Sequence, residues 1–269
     1  MQIIDFINKT GFEVVSFPDG ELHLVIPELN RKESITIKTR ISSSDDLFLL
    51  MQLSDILNRQ CVMVEEIQIY YLMGMRCDRL FDISRPFTLK IVADVINSFN
   101  AHKVSVVEPH SDRTLELINR SCAVNLSKRI ADRFIMDGKD FLFAAPDKGA
   151  LQRYNLPWSV CCEKVRDAAT GNLTGFEVVE SCDLQNRNIL MVDDLCDGGG
   201  TFLGIAPKIR EFRCKSLSLL VTHAIQLSGI VKVAKTYNEV YITDSFDAWD
   251  EANLPDNVHV FHVDELNAI

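Results

Sequence analysis

The sequence has few features of a membrane, secreted or metal-cluster protein. No apolar run approaches the ~20 residues that a membrane-crossing helix requires. The first residues lack a basic segment followed by a long apolar core, so we expect no secretory signal. Its 8 cysteines are scattered without CxxC or Cys/His metal spacing, and the adjacent pair Cys161 and Cys162 lies in an apolar stretch. This pattern predicts free thiols in a reducing, cytoplasmic setting.

Positive charge is also in short supply. The chain has 28 Lys and Arg residues against 38 Asp and Glu, which gives a formal net charge of −10. Because the phosphates of nucleic acid demand a basic surface, nucleic acid is excluded as the expected partner. A smaller phosphate ligand would have to be held by a few local cations and by backbone N–H groups.

Apolar segments typical of strands alternate with helical segments along the chain. Such alternation predicts parallel sheets covered by helices. Its two runs predict two α/β domains, residues 1–125 and 126–269, with the last helix packing back on the first domain. The charged stretch 164–172 is predicted to form a mobile loop between two strands. The predicted strands are 35–39, 66–71, 103–107, 140–145, 188–192, 216–221 and 239–243, and the predicted helices are 46–60, 87–99, 126–136, 202–212 and 229–236.

Residues 189–201 carry the most informative local pattern. An apolar strand leads into Asp193 and Asp194, and Asp197, three glycines and Thr201 follow. Glycines let the backbone approach an anion, and a helix N-terminus favours negative charge. Two carboxylates upstream can accept hydrogen bonds from vicinal hydroxyls, so the pattern indicates a sugar-phosphate site. The alternative is a tight turn capped by Thr201, although unpaired buried carboxylates would be costly in it.

This loop resembles the ribose-phosphate loop of the phosphoribosyltransferase fold. The rest of the chain resembles the phosphoribosyl-pyrophosphate synthetases, also called ribose-phosphate pyrophosphokinases. Segments similar to motifs of that family occur in the family's order at 17–21, 71–79, 84–90, 108–110, 145–149, 163–166, 222–223 and 243–245. The resemblance implies two phosphoribosyltransferase-type domains, each with a mainly parallel sheet flanked by helices.

The resemblance also implies a reaction. The anomeric hydroxyl of ribose 5-phosphate would attack the β-phosphorus of ATP, with Mg²⁺ as cofactor and AMP as the leaving group. Such transfers depend on positioning and on neutralising the charge of the moving group. Matching positions assign Lys164, Arg166 and His110 to catalysis, and His110 and Asp147 to Mg²⁺ and the ATP phosphates. A solvated charged loop and a structural histidine are the alternatives for these residues.

The same resemblance assigns the binding residues. Asp193 and Asp194 would hold the 2- and 3-hydroxyls of ribose. Residues of the 5-phosphate cradle would be Asp197, Gly198, Gly199, Gly200 and Thr201. Residues contacting ATP would be Arg76 and Asp78, with Phe17, Asp19 and Glu21 reaching a neighbouring subunit's adenine pocket, which implies a homo-oligomer with shared active sites. By itself, however, the segment around Asp19 is only a turn.

Three departures from the family pattern leave alternatives open. Only sixteen residues precede Phe17, where the family has a further strand and helix, which puts its usual hexamer in doubt. Cys77 stands where the family has glutamine, and Gly198 where it has threonine. Gly198 fits an acceptor extended beyond the 5-phosphate, such as ADP-ribose in NAD metabolism, or neutral drift. A phosphoribosyltransferase and a non-catalytic regulatory homologue are further alternatives.

Overall fold

The computed structural model describes residues 2–80, 82–166 and 173–266. The chain divides into two compact units, one ending at Val124 and the other beginning at Asn125. Among the described residues, no helix combines the length and the apolar character needed to cross a membrane.

The first unit is built on a five-stranded parallel sheet of order β1-β4-β5-β6-β7, while β2 and β3 form a separate antiparallel hairpin. The long helix α1 begins where the sequence provides a capping box, because Ser43 accepts the N–H of Asp46 and Asp46 accepts that of Ser43. The elements are β1 (Gln2–Asp5), β2 (Glu13–Ser16), β3 (Leu22–Val25), β4 (Ile35–Ile41), α1 (Ser44–Gln60), β5 (Val64–Leu72), α2 (Thr88–Ser98), β6 (Lys103–Val107), α3 (Arg113–Leu117) and β7 (Ser121–Val124).

The second unit contains a seven-stranded sheet of order β10-β9-β8-β11-β12-β13-β14, in which only β10 is antiparallel to its neighbour. Its elements are α4 (Leu126–Met136), β8 (Phe141–Ala145), α5 (Lys148–Arg153), β9 (Trp158–Arg166), β10 (Leu173–Ser181), β11 (Asn188–Cys196), α6 (Gly200–Arg210), β12 (Ser216–Ala224), α7 (Leu227–Ala234), β13 (Val240–Thr243) and β14 (Val258–Phe261).

The central strand of this sheet is buried on both faces. Residues 189–192 of β11 are all fully buried. Phe202, Ile205 and Ile209 of α6 belong to the core on one face of the strand, and Ile130 and Phe134 of α4 to the core on the other. A strand covered by helices on both sides carries a continuous apolar run instead of an alternating one, which is why β11 was recognisable in the sequence. The last described α-helix, α7, packs against α6 and β13 of its own unit.

Four of the predicted strands, β4, β5, β11 and β12, run further than the sequence pattern predicted. We expected the central strand to end at Val192, but β11 continues to Cys196 because Leu195 and Cys196 pair with His223 and Ala224 of β12. Asp193 and Asp194 therefore lie within the strand and not after it.

The predicted loop over residues 164–172 is wrong at its start. Lys164 and Arg166 belong to β9, because that strand forms an antiparallel ladder with β10 in which Lys164 lies opposite Phe176. Residues 167–172 of the predicted loop lie outside the described residues.

Candidate active site

The two acids of β11 lie beside a cation that the sequence pattern had not indicated. Arg153, the last residue of α5, directs Nη1 at both carboxylates, 3.2 Å from Asp193 Oδ1 and 2.8 Å from Asp194 Oδ1. All three side chains are largely buried, with exposed fractions of 14, 15 and 4%. The N–H of Asp194 also donates to Asp193 Oδ1 at 2.9 Å. One guanidinium therefore bridges two adjacent carboxylates at the carboxyl end of the central strand.

Burial and mutual repulsion make this acid pair costly to ionise. Burial first, and the neighbouring charge of Asp194 second, raise the pKa of Asp193 well above its ordinary value, and Arg153 offsets only part of this rise. Burial works against the charge of Arg153 as well, yet the two carboxylates raise the pKa of its guanidinium. Hydrogen bonds donated by the hydroxyls of a polyol would offset part of this cost.

The glycines after Asp197 form the N-terminus of α6. Gly199 caps the helix with a φ of +80°, a left-handed conformation, and a Cβ at this position would lie 2.8 Å from Val233. Gly198 and Gly200 are exposed, and no atom lies within 4 Å of a Cβ built on either. The alternative of a turn capped by Thr201 is wrong, because the cap is Gly199 and no side chain bonds to it. Unpaired N–H groups at this helix start can bind an anion.

Helix α7 supports this loop from behind. The Gln226 side chain donates to Asp197 Oδ1 at 2.7 Å and so fixes the direction of that carboxylate. Gly229 brings the backbone of α7 so close that a Cβ there would lie 2.0 Å from the carbonyl oxygen of Asp197. The course of the loop thus depends on a glycine in the next helix.

The strand that carries Lys164 meets the start of α5. Lys164 Nζ lies 3.1 Å from Asp147 Oδ2, and Asp147 Oδ1 accepts the N–H of Ala150 as the helix N-cap. Burial raises the pKa of Asp147, but the hydrogen bond from Ala150 and the charge of Lys164 together lower it below its ordinary value. The Arg166 side chain lies outside the described residues.

In the first unit, the loops after β5 and β6 meet through a buried carboxylate. Asp78 Oδ2 accepts a hydrogen bond from Ser111 at 2.8 Å, and Asp78 Oδ1 accepts one from Arg79 at 3.2 Å. Burial raises the pKa of Asp78, yet these two donors outweigh it and lower that pKa. Because Ser111 follows His110, the bond joins the segment of His110 to that of the exposed Arg76.

The hairpin tip between β2 and β3 is exposed. The N–H of Phe17 donates to the carbonyl of Glu21 at 2.8 Å, and Asp19 accepts the N–H of Glu21 at 3.1 Å. Gly20 makes this turn possible with a φ of +92°. Phe17 is 44% exposed at this tip.

The carboxylate of Asp147 suits a magnesium ion that arrives with its nucleotide. Among the residues that the structure describes, no three His, Cys, Asp or Glu side chains are gathered as a metal site. Mg²⁺ is usually held by one or two carboxylates together with substrate phosphates and waters. Asp147 provides one such carboxylate, whereas the imidazole of His110 is a poorer match to this hard cation.

Sequence reasoning missed Arg153, Gln226, Gly229 and Ser111. Charge balance was the one signal for Arg153, since two buried acids require a nearby cation. The other three act through contacts with residues distant in the chain, and no local pattern marks them.

The fold and the glycine loop after β11 define a class of protein. The chain is a two-unit α/β protein of the phosphoribosyltransferase type, in which an acid pair lies near the end of the central strand of the second unit and a glycine loop follows that strand. The phosphoribosylpyrophosphate synthetase from Mycobacterium smegmatis has a solved structure that matches with a TM-score of 0.76 at 19% identity, over 96% of this chain and 87% of that chain. The predicted fold class is therefore confirmed.

Proteins with similar sequences indicate which members of this class the chain resembles. No family model matches the chain. The ribose-phosphate pyrophosphokinase of Pyrococcus abyssi is 28% identical over 245 residues, covering 88% of this chain and 85% of the relative. That of Granulibacter bethesdensis is 26% identical, covering 96% of this chain and 87% of the relative. These relatives confirm the predicted resemblance to the ribose-phosphate pyrophosphokinases.

Proposed function

We propose that this protein transfers the β,γ-diphosphoryl group of ATP to the anomeric 1-hydroxyl of ribose 5-phosphate, giving 5-phosphoribosyl 1-diphosphate and AMP. One observation carries the proposal: the strand β11, its acid pair and the exposed glycines at the start of α6 form one continuous segment. Such a segment offers acceptors to a diol and N–H donors to a phosphate. The names of the relatives support the same substrate class.

The second unit, expected at 126–269, would bind the sugar phosphate. In this proposal Asp193 and Asp194 accept hydrogen bonds from the 2- and 3-hydroxyls. The 5-phosphate binds the helix N-terminus, where no side chain competes for the N–H groups. Asp197 is held by Gln226 and would line this cradle together with Gly198, Gly199, Gly200 and Thr201.

The first unit, expected at 1–125, would bind ATP. The bond between Asp78 and Ser111 supports a shared role for Arg76, Asp78 and His110, because it holds their two loops together. A guanidinium such as that of Arg76 suits phosphate through its forked geometry. The exposed Phe17, with Asp19 and Glu21, would contact the adenine of a neighbouring subunit.

Catalysis would rest on charge neutralisation. Lys164 Nζ forms an ion pair with Asp147 Oδ2 at 3.1 Å. We propose that it turns to the transferring diphosphoryl group, with Arg166 beside it and His110 contacting the ATP phosphates. Asp147 and His110 are the residues proposed to hold Mg²⁺ together with the ATP phosphates, and the ion would neutralise further phosphate charge. Donors fixed where charge develops stabilise the transition state more than the ground state.

The other hypotheses have less support. A phosphoribosyltransferase has no need of an ATP site, and a regulatory homologue has no need of Lys164. The larger acceptor ADP-ribose receives no support from the relatives, although open space beside Gly198 leaves room for it.

The decisive test follows AMP release from ATP with ribose 5-phosphate, ADP-ribose or no acceptor. We expect ribose 5-phosphate to stimulate AMP release and one 5-phosphoribosyl 1-diphosphate to form per AMP. Lys164→Ala should lower kcat by about 100-fold or more with little change in the KM for the sugar. The matched control is Lys148→Ala, which removes an exposed lysine paired with Glu163. Equal activity in both variants would reject the proposed role of Lys164, and no AMP from the parent would reject the function.

A further inference from the structure

Arg153 stands out because nothing assigned to the reaction uses it. Its guanidinium is mostly buried, and a single nitrogen, Nη1, donates to Oδ1 of both Asp193 and Asp194. Asp193 Oδ1 receives a second donor, the N–H of Asp194. The orientation of each carboxylate is therefore set by contacts within the protein.

A purely structural ion pair would be an expensive way to stabilise this region. Replacing a buried ion pair by apolar residues of similar size is often neutral or stabilising. Here three charges are buried together, two of them alike and adjacent in one strand. Such an arrangement is understandable if the carboxylates are needed in one fixed geometry.

We propose that Arg153 is a positioning residue, which holds Asp193 and Asp194 in the arrangement that receives both hydroxyls of a vicinal diol. It thereby sets the preference of the site for ribose 5-phosphate over 2-deoxyribose 5-phosphate, which lacks one of the two hydroxyls. This inference rests on the proposed function, because it assumes that the acid pair binds the sugar.

The test compares Arg153→Gln with the parent on both sugars. In the parent, kcat/KM should be higher for ribose 5-phosphate than for the deoxy sugar. In Arg153→Gln, this ratio should fall by about tenfold or more, since one hydrogen bond to a charged group is worth at least that factor. The KM for ATP should not change, and Arg153→Lys, which keeps the charge, should restore part of the ratio.

The matched control is Arg187→Gln. Arg187 forms an exposed ion pair with Asp140 at 3.3 Å, just before the starts of β11 and β8, and its removal should leave the ratio unchanged. Thermal unfolding of each variant distinguishes misfolding from lost positioning. A smaller folded fraction would lower the activity with both sugars by the same factor and leave the ratio unchanged. An unchanged ratio in folded Arg153→Gln overturns the inference.

Calorimetric titration with the two sugars, without ATP, separates this inference from the proposed function. If the parent releases no AMP but binds ribose 5-phosphate more tightly than the deoxy sugar, the function fails and Arg153 is still tested by binding. Loss of that binding preference in Arg153→Gln then supports the inference, and its retention overturns it. A parent that does not discriminate between the sugars, in binding or in turnover, also overturns it.

Discussion

Asp193 is a residue whose proposed function opposes stability. Its pKa is raised in the folded protein, chiefly by burial, so the folded state binds the proton more tightly than the unfolded chain does. The free energy of unfolding therefore falls as pH rises from about 4, its ordinary pKa, through the raised value. We predict that Asp193→Asn will raise the melting temperature at pH 7, with the gain vanishing near pH 4, while AMP release is lost.

The control for this prediction is Asp140→Asn, which changes an exposed acid whose side chain is 76% accessible. Its melting temperature should stay within about 1 °C of the parent's, because surface changes of this kind have small effects. If Asp193→Asn melts below the parent at pH 7, the prediction is wrong. The pairing with Arg153 then stabilises the folded protein by more than burial and repulsion destabilise it.

Gly198 lies in the proposed phosphate cradle, with open space where a side chain would start. A Cβ there meets no atom within 4 Å, so Gly198→Thr should fold normally and add a hydroxyl to the loop. One hydrogen bond to a charged oxygen is worth roughly 1.5–3 kcal/mol. We predict a higher kcat/KM for ribose 5-phosphate and a lower value for any larger 5-substituted acceptor, measured with ribose 5-phosphate and ADP-ribose. Unchanged values for both would mean that Gly198 has no role in acceptor choice.

At the scale of elements, the course of the loop from Asp197 to Gly199 depends on how closely α7 approaches it. Gly229→Ala would place a methyl group 2.0 Å from the carbonyl oxygen of Asp197. Because this is a contact with backbone, either α7 or the loop must shift to relieve it. We predict a loss of about 1–3 kcal/mol in unfolding free energy and a clear rise in the KM for ribose 5-phosphate, with the KM for ATP unchanged. Gly175→Ala, on β10 with no atom within 4 Å, is the control. If the KM for ribose 5-phosphate is unchanged in Gly229→Ala, the approach of α7 has no effect on sugar binding.

At the scale of the whole molecule, the exposed hairpin tip suggests a site completed by another copy. Phe17 lies at this tip and is 44% exposed, whereas Asp194 is buried in the second unit. If adenine is held by a neighbour's Phe17, then Phe17→Ala and Asp194→Ala subunits are each inactive for a different reason. We predict that refolding them together restores part of the AMP release, because hybrid oligomers contain sites with both residues intact. A fully active monomer in light scattering would contradict this prediction.

The sequence by itself determined the class of fold and the chemistry of one segment. Alternating apolar and amphipathic stretches predicted two parallel α/β units, since a strand buried on both faces must be apolar throughout. The acids and glycines of residues 193–201 predicted a sugar-phosphate site, because all of its groups are neighbours in the chain. The site roles themselves stay predictions until the proposed variants are measured.

Only the tertiary structure decided where strands end and what lies behind the site. Pairing with β12 extends β11 past Asp194, and pairing with β10 draws Lys164 into β9. Arg153 reaches the acid pair across forty residues of sequence, and Gly229 of α7 closely approaches the backbone of Asp197 in the loop after β11. Each of these features depends on a partner that is distant in the chain: a neighbouring strand, a buried cation or a closely packed backbone. A local sequence pattern does not specify such partners.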